Sequence, residues 1–161
     1  MKKLFFLMLT VLINLSCENI DSKEEKMLYN YLIEQDYLSK INSSKKQIKK
    51  KEVSGNLVSE DDDFLKYTYV SNTNITINST YLFDEKGCFE VGLDIDYENV
   101  GEASSIANQF KQYIDEQKSF VDFKEDNFLL RWINQDKSRT VEVDIANASS
   151  GKIAITIFAN E

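Results

Sequence analysis

Ile75–Tyr97 reads ITINSTYLFDEKGCFEVGLDIDY. Ile75, Ile77, Tyr81 and Phe83 fall on one side of a period-two pattern, with Ser79 among them. Asn74, Thr76, Asn78 and Thr80 fall on the other. Phe89, Val91, Leu93, Ile95 and Tyr97 then alternate with Glu90, Gly92, Asp94 and Asp96. That contrast is the mark of two half-buried antiparallel strands. For the apolar sides to coincide, Phe83 must oppose Phe89, Tyr81 oppose Val91 and Ile77 oppose Ile95. Asp84 then opposes Cys88, which leaves Glu85-Lys86-Gly87 as the loop. Such hairpins follow a type I turn with a left-handed residue, and Gly87 takes that position without a steric penalty.

Upstream, Phe64–Val70 alternates through Leu65, Tyr67 and Tyr69 and reads as a strand, with a turn at 72–74. Before it, Leu28, Tyr31, Leu32, Leu38 and Ile41 recur near helical spacing, widened by Met27 and Tyr37. This predicts a helix over 23–41, with Ser22 as N-cap and Glu25 as its capping-box partner. Residues 42–60 carry a basic run, Lys45-Lys46-Gln47-Ile48-Lys49-Lys50-Lys51, and then Gly55. The run extends the first helix or forms a solvated loop. It is balanced by Glu60-Asp61-Asp62-Asp63, and a solvated surface is favoured over an anionic partner.

Downstream, Asn99 and Glu102 form a second capping-box pattern. The helix that follows buries Ala103, Ile106, Phe110, Tyr113 and Ile114 over the hairpin and ends near Lys118. In the last third, Phe128, Leu130 and Trp132 alternate with Leu129, Arg131 and Ile133, a strand apolar on both sides. Val141, Val143 and Ile145 then face Ile157, Ile155 and Ile153 across the turn at 147–151. The predicted fold class is α+β: an antiparallel β-sheet of about six strands in two meanders, with two helices packed on one face, in the order α-βββ-α-βββ. The plan is either a diverged duplication or one meander split by a crossover.

Met1–Cys17 reads MKKLFFLMLTVLINLSC. Lys2 and Lys3 form a positive n-region, Leu4–Ile13 is interrupted only by Thr10, and Asn14-Leu15-Ser16 leads to Cys17. This is the layout of a secretory signal, too short for a transmembrane helix. The stretch resembles a bacterial lipoprotein precursor. With Asn14 in place of the usual leucine and Glu18-Asn19-Ile20-Asp21 following, it looks like those of the Bacteroidota. The resemblance implies cleavage before Cys17, lipidation of Cys17, and attachment to the bacterial cell envelope, on the periplasmic or surface side of the outer membrane. The expected organisation is a signal peptide over 1–16, a lipidated tether over 17–22 and a single domain over 23–161. That domain resembles only small envelope lipoproteins of unassigned function.

The formal net charge is −8, and removing Lys2 and Lys3 would make it more negative. An acidic surface repels phosphate backbones, so nucleic acid is not an expected partner. Histidine is absent and Cys17 and Cys88 are the sole cysteines. With Cys17 acylated, Cys88 has no intramolecular disulfide partner. Ordinary zinc sites lack their ligands, and no cofactor is expected. Cys88, placed beside the turn on the polar side of the hairpin, has no histidine to serve as its base. Asp94-x-Asp96-x-Glu98, with Glu90 nearby, lines up carboxylates on a flat strand rather than a loop that wraps a calcium ion.

The remaining candidate is the polar sheet face itself: Thr76, Asn78, Thr80, Glu90, Asp94, Glu142 and Asp144, with Thr156. A Thr/Asn/acid face suits a basic protein partner, although ordinary hydration of a one-sided sheet is the favoured reading of such a face. Arg131 and Trp132 are common hot-spot types, but Trp132 is assigned to the core. The expected function is that of a non-enzymatic, lipid-anchored module that binds an envelope protein. The alternatives are a small-ligand carrier, with tyrosines and phenylalanines lining a pocket between helices and sheet, and a carboxylate-based enzyme.

Overall fold

The computed structural model describes residues 30–71, 74–98 and 103–160. The expected N-caps at Ser22 and Asn99, their partners Glu25 and Glu102, and Cys17 lie outside these residues. The described residues open in helix α1 (30–35), pass through a 3-10 turn (Tyr37–Lys40) and enter α2 (Lys45–Lys51). Strands β1 (Leu57–Asp61), β2 (Phe64–Val70), β3 (Thr76–Asp84) and β4 (Gly87–Asp96) follow. Then come α3 (Ala103–Asp115), β5 (Phe120–Asp126), β6 (Leu129–Asn134), β7 (Arg139–Asp144) and β8 (Lys152–Ala159).

These strands form one eight-stranded sheet in the order β1-β2-β3-β4-β8-β7-β6-β5, antiparallel throughout. The six-stranded α-βββ-α-βββ plan with two helices is therefore overturned. Strand makes up 47% of the structure, and its helices are short. The two meanders meet through their last strands, β4 and β8, and each begins at an outer edge.

The two strands that the sequence did not disclose, β1 and β5, are those edges. In β1, Leu57 and Ser59 are half-buried and the other residues exposed. In β5, Phe120 alone is half-buried. No residue of either strand is fully buried, and neither LVSED nor FVDFKED alternates large apolar with polar residues, so neither shows a period-two pattern in the sequence. Both edges also carry a bulge, at Val58 and Val121, together with charged residues. Bulges and charges are the usual protection against pairing with another chain.

The central hairpin holds the expected register from Leu82 inward, with Tyr81 opposite Val91 and Ile77 opposite Ile95. Nearer the turn it differs. Asp84 pairs with Gly87 and Phe83 with Cys88, leaving Glu85-Lys86 as the loop. A bulge at Phe89 then restores the phase, so one residue lost from the loop is regained in the strand. The shift turns Cys88 inward, fully buried, and leaves Phe89 36% exposed, the reverse of the expectation for both. Gly87 has the expected positive φ (125°), with a further reason for being glycine. A Cβ there would stand 2.9 Å from the Asn42 carbonyl oxygen. That close approach is fixed by backbone bonds from Asn42 N–H to the Cys88 carbonyl (2.8 Å) and from Cys88 N–H to the Ser43 carbonyl (2.9 Å).

The first helix is not continuous to residue 41. It ends at Asp36, which is left-handed (φ 44°), a conformation Asp adopts more readily than most residues. The break lets Tyr37, Leu38 and Ile41 turn into the core beside Leu32. The basic run is a separate helix rather than an extension or a loop. Ser44 caps it, accepting from Gln47 N–H while the Gln47 side chain accepts from Ser44 N–H (2.8 Å). Its lysines meet the acidic segment: Lys49 pairs with Glu60 at 2.6 Å, and Lys45 donates to the carbonyl of Asp62 at 2.9 Å.

In the second meander, Val143 opposes Ile155 and Val141 opposes Ile157 as expected. The strand stops at Asp144, so Ile145 does not reach Ile153, which pairs with Ile95 of β4 instead. Helix α3 contacts β8 and buries Ile106, Phe110, Tyr113 and Ile114. Trp132 is 1% exposed, and its indole N–H donates to Asp115 at 3.2 Å. One core cluster contains the buried residues of all three helices and the inner side chains of β2, β3, β4, β6, β7 and β8.

Candidate functional site

Because the helices share one face of the sheet, the opposite face is set by strand pairing alone. The register arranges it in cross-strand rows. Thr68, Asn78, Asp94, Ala154 and Asp144 form one row, from β2 through β3, β4 and β8 to β7. Lys66, Thr80, Gly92, Thr156, Glu142 and Arg131 form the next. Thr76, Asp96 and Lys152 form a third. The seven expected face residues, Thr76, Asn78, Thr80, Glu90, Asp94, Glu142 and Asp144, thus come together on one outer surface, all half-buried or exposed.

Its charges are partly matched. Arg131 pairs with Glu142 at 2.6 Å and Lys152 with Asp96 at 3.3 Å. Thr68 donates to Asn78 at 2.7 Å. A cleft of about 270 Å³ opens over Ala154, lined by Asn78, Asp94, Asp96, Asp144, Asn147 and Lys152. Sequence reasoning missed a further row on this face: Phe64, Leu82, Glu90, Phe158, Thr140 and Ile133. Its apolar members are scattered through the sequence and become neighbours only when the strands pair. Leu82, for one, is a lone apolar residue after Thr76, Asn78 and Thr80 in the pattern of its own strand.

The other notable group lies inside, where the helical arm meets β3. Lys40 is fully buried and ion-paired with Glu52, itself 5% exposed. Lys40 also donates to Tyr81 Oη at 3.0 Å and sits 4.6 Å from the centre of the Tyr37 ring. Tyr81 donates to the same Glu52 oxygen. Tyr37 donates to Tyr31 at 3.0 Å, and Tyr31 stacks on Tyr69 at 4.3 Å. Burial lowers the pKa of Lys40, against the attraction of Glu52. Burial raises Tyr31 to about 12 and holds Tyr37 and Tyr81 well above the ordinary tyrosine value of 10.0. Lys40 and Tyr81 are sealed from solvent, so the network bonds the arm to the sheet. Tyr31 packs on Tyr37 and Tyr69, and Tyr67 packs on Tyr81.

This network predicts the response to alkali. A tyrosine whose folded pKa is raised stabilises the fold below its unfolded pKa and loses that contribution as pH climbs toward the folded value. Lys40, lowered, acts in the opposite sense, regaining stability toward its unfolded value of 10.5. Three tyrosines outweigh one lysine, so stability falls above pH 10. Tyrosinate absorbance and circular dichroism followed together should show these rings ionising only as the fold is lost. Smooth titration of all eight tyrosines with the fold intact would contradict this.

Among the described residues, no three His, Cys, Asp or Glu side chains gather as a metal set. Glu98 accepts from Asn74 at 3.0 Å. The buried Cys88 thiol is pushed up to about 12 by desolvation. Comparison of the chain with known protein families, with characterised proteins and with solved structures finds no match.

Proposed function

We propose that this chain is a non-enzymatic, lipid-anchored protein of the bacterial cell envelope, held to the membrane through Cys17, that binds a protein partner on its outer sheet face. The observation that carries this reading is the bare sheet face. Among the described residues, helices cover one side of the sheet, the edges are blunted by bulges and charges, and a broad polar face with an apolar row stays uncovered. Exposed apolar side chains rimmed by polar ones mark interaction surfaces in soluble proteins.

The test places a photo-crosslinking amino acid at Thr156, in the middle of the face, or at exposed Asn108 on α3, in native envelopes. A single adduct from Thr156 with none from Asn108 is the expected result. Adducts from Asn108 alone would overturn the assignment of the face. In the same cells, Cys17→Ala should move the protein out of the membrane fraction. Unchanged membrane association would refute the anchor.

A further inference from the structure

The outer face is built as a trough with two chemically different ends. Along its middle run Gly92 of β4 and Ala154 of β8, and a Cβ added at Gly92 would meet nothing within 4 Å. At one end Ala154 lies between Asp94 and Asp144 in a single row. Two strand spacings separate these carboxylates by about 10 Å, so a cationic group over Ala154 would lie ~5 Å from each. Among the described residues the Asp94 carboxylate has no ion pair or hydrogen bond, and that of Asp144 accepts from its neighbour Ala146 N–H at 2.8 Å. At the other end Leu82 and Phe158 flank Glu90. Ala154 and Phe158 are about 13 Å apart along the strand, which a helix covers in about nine residues.

We infer that the trough receives an amphipathic helix of the partner protein, with a lysine or arginine over Ala154 and an apolar side chain against Leu82 and Phe158. This rests on the outer face being the docking surface. A helix laid there would give the sheet its missing second layer. Charge complementarity selects this occupant over the others. A second copy would bring another face on which Glu90, Asp94, Asp96, Glu142 and Asp144 outnumber Lys66, Arg131 and Lys152, and an anionic lipid surface would be repelled.

The experiment titrates the full chain with two helical peptides of one design, leucine on the apolar side and either lysine or glutamate on the polar side. The lysine peptide should bind, more weakly as salt is raised, and the glutamate peptide should not. Asp94→Asn with Asp144→Asn should weaken binding by about tenfold. Gly92→Trp should weaken it by at least about as much by filling the trough. Asp62→Asn with Asp63→Asn removes equal charge at the β1–β2 turn and should leave binding unchanged. Equal loss in both double variants, or no binding by the wild type, would overturn the inference. So would self-association that Gly92→Trp abolishes, since the occupant would then be a second copy. A partner crosslinked from Thr156 that lacks a basic amphipathic helix would also overturn it, while leaving the proposed function standing.

Discussion

Glu52→Ala should cost about 3–5 kcal/mol of stability, whereas Lys40→Met combined with Glu52→Leu should recover most of it. The asymmetry follows from where the pair sits. Lys40 is fully buried and Glu52 nearly so, so the attraction between them works against a large desolvation cost. Removing Glu52 leaves a buried ammonium whose remaining oxygen partners include Tyr81 at 3.0 Å and Gln35 at 3.4 Å. It also takes away the oxygen to which Tyr81 donates. Removing both charges together leaves Tyr81 short of partners but no stranded ion. Urea denaturation of the two variants against wild type measures the difference.

The single variant should also acquire a pH dependence. Without Glu52 to favour its charged form, Lys40 is lowered further by burial. A lysine that binds its proton less well folded than unfolded gives stability that rises with pH. The Glu52→Ala deficit should therefore shrink as pH is raised from neutral toward 10. A constant deficit over that range would mean that Lys40 keeps its proton, through water or rearrangement of the arm.

Gly151→Ala should destabilise by about 2–4 kcal/mol, from a left-handed backbone disfavoured for alanine and a forced collision. Gly151 has φ 78°, and a Cβ there would stand 2.3 Å from the Tyr97 carbonyl oxygen. The two backbones are bonded, with Tyr97 N–H donating to the Gly151 carbonyl at 2.9 Å. Tyr97 also donates through its hydroxyl to Ala148 at 2.8 Å, so neither segment can retreat freely. The matched control is Gly92→Ala, where the added methyl meets open space. Alanine in a strand loses less backbone entropy than glycine, so this change should be neutral or stabilising by up to about 1 kcal/mol. Similar losses at both positions would show that the cost at Gly151 is not this contact. Thermal or urea unfolding of the pair decides it.

Local sequence determined what depends on side chains close in the chain. The alternation through Ile75–Ile77–Tyr81 and Val91–Leu93–Ile95 has one consistent pairing, and the structure keeps it from Leu82 inward. The same logic holds for Val141 and Val143 against Ile157 and Ile155. The polar side of those strands, and so the seven candidate face residues, was legible for the same reason. Tertiary structure decided the rest. The edge strands β1 and β5 bury none of their side chains fully, so neither carries an alternating apolar pattern. Cys88 turned inward because a bulge, not the period, set its direction. The helix broke at Asp36 because the core, rather than helix propensity, placed Tyr37 and Leu38. Lys40 met Glu52 and Tyr81 through the packing of the arm on β3, across a separation in sequence that no spacing rule spans. The trough at Gly92 and Ala154, with acids at one end and Leu82 and Phe158 at the other, exists only after β4 has paired with β8. Cross-strand neighbours are set by long-range register, which a single strand's own pattern does not contain.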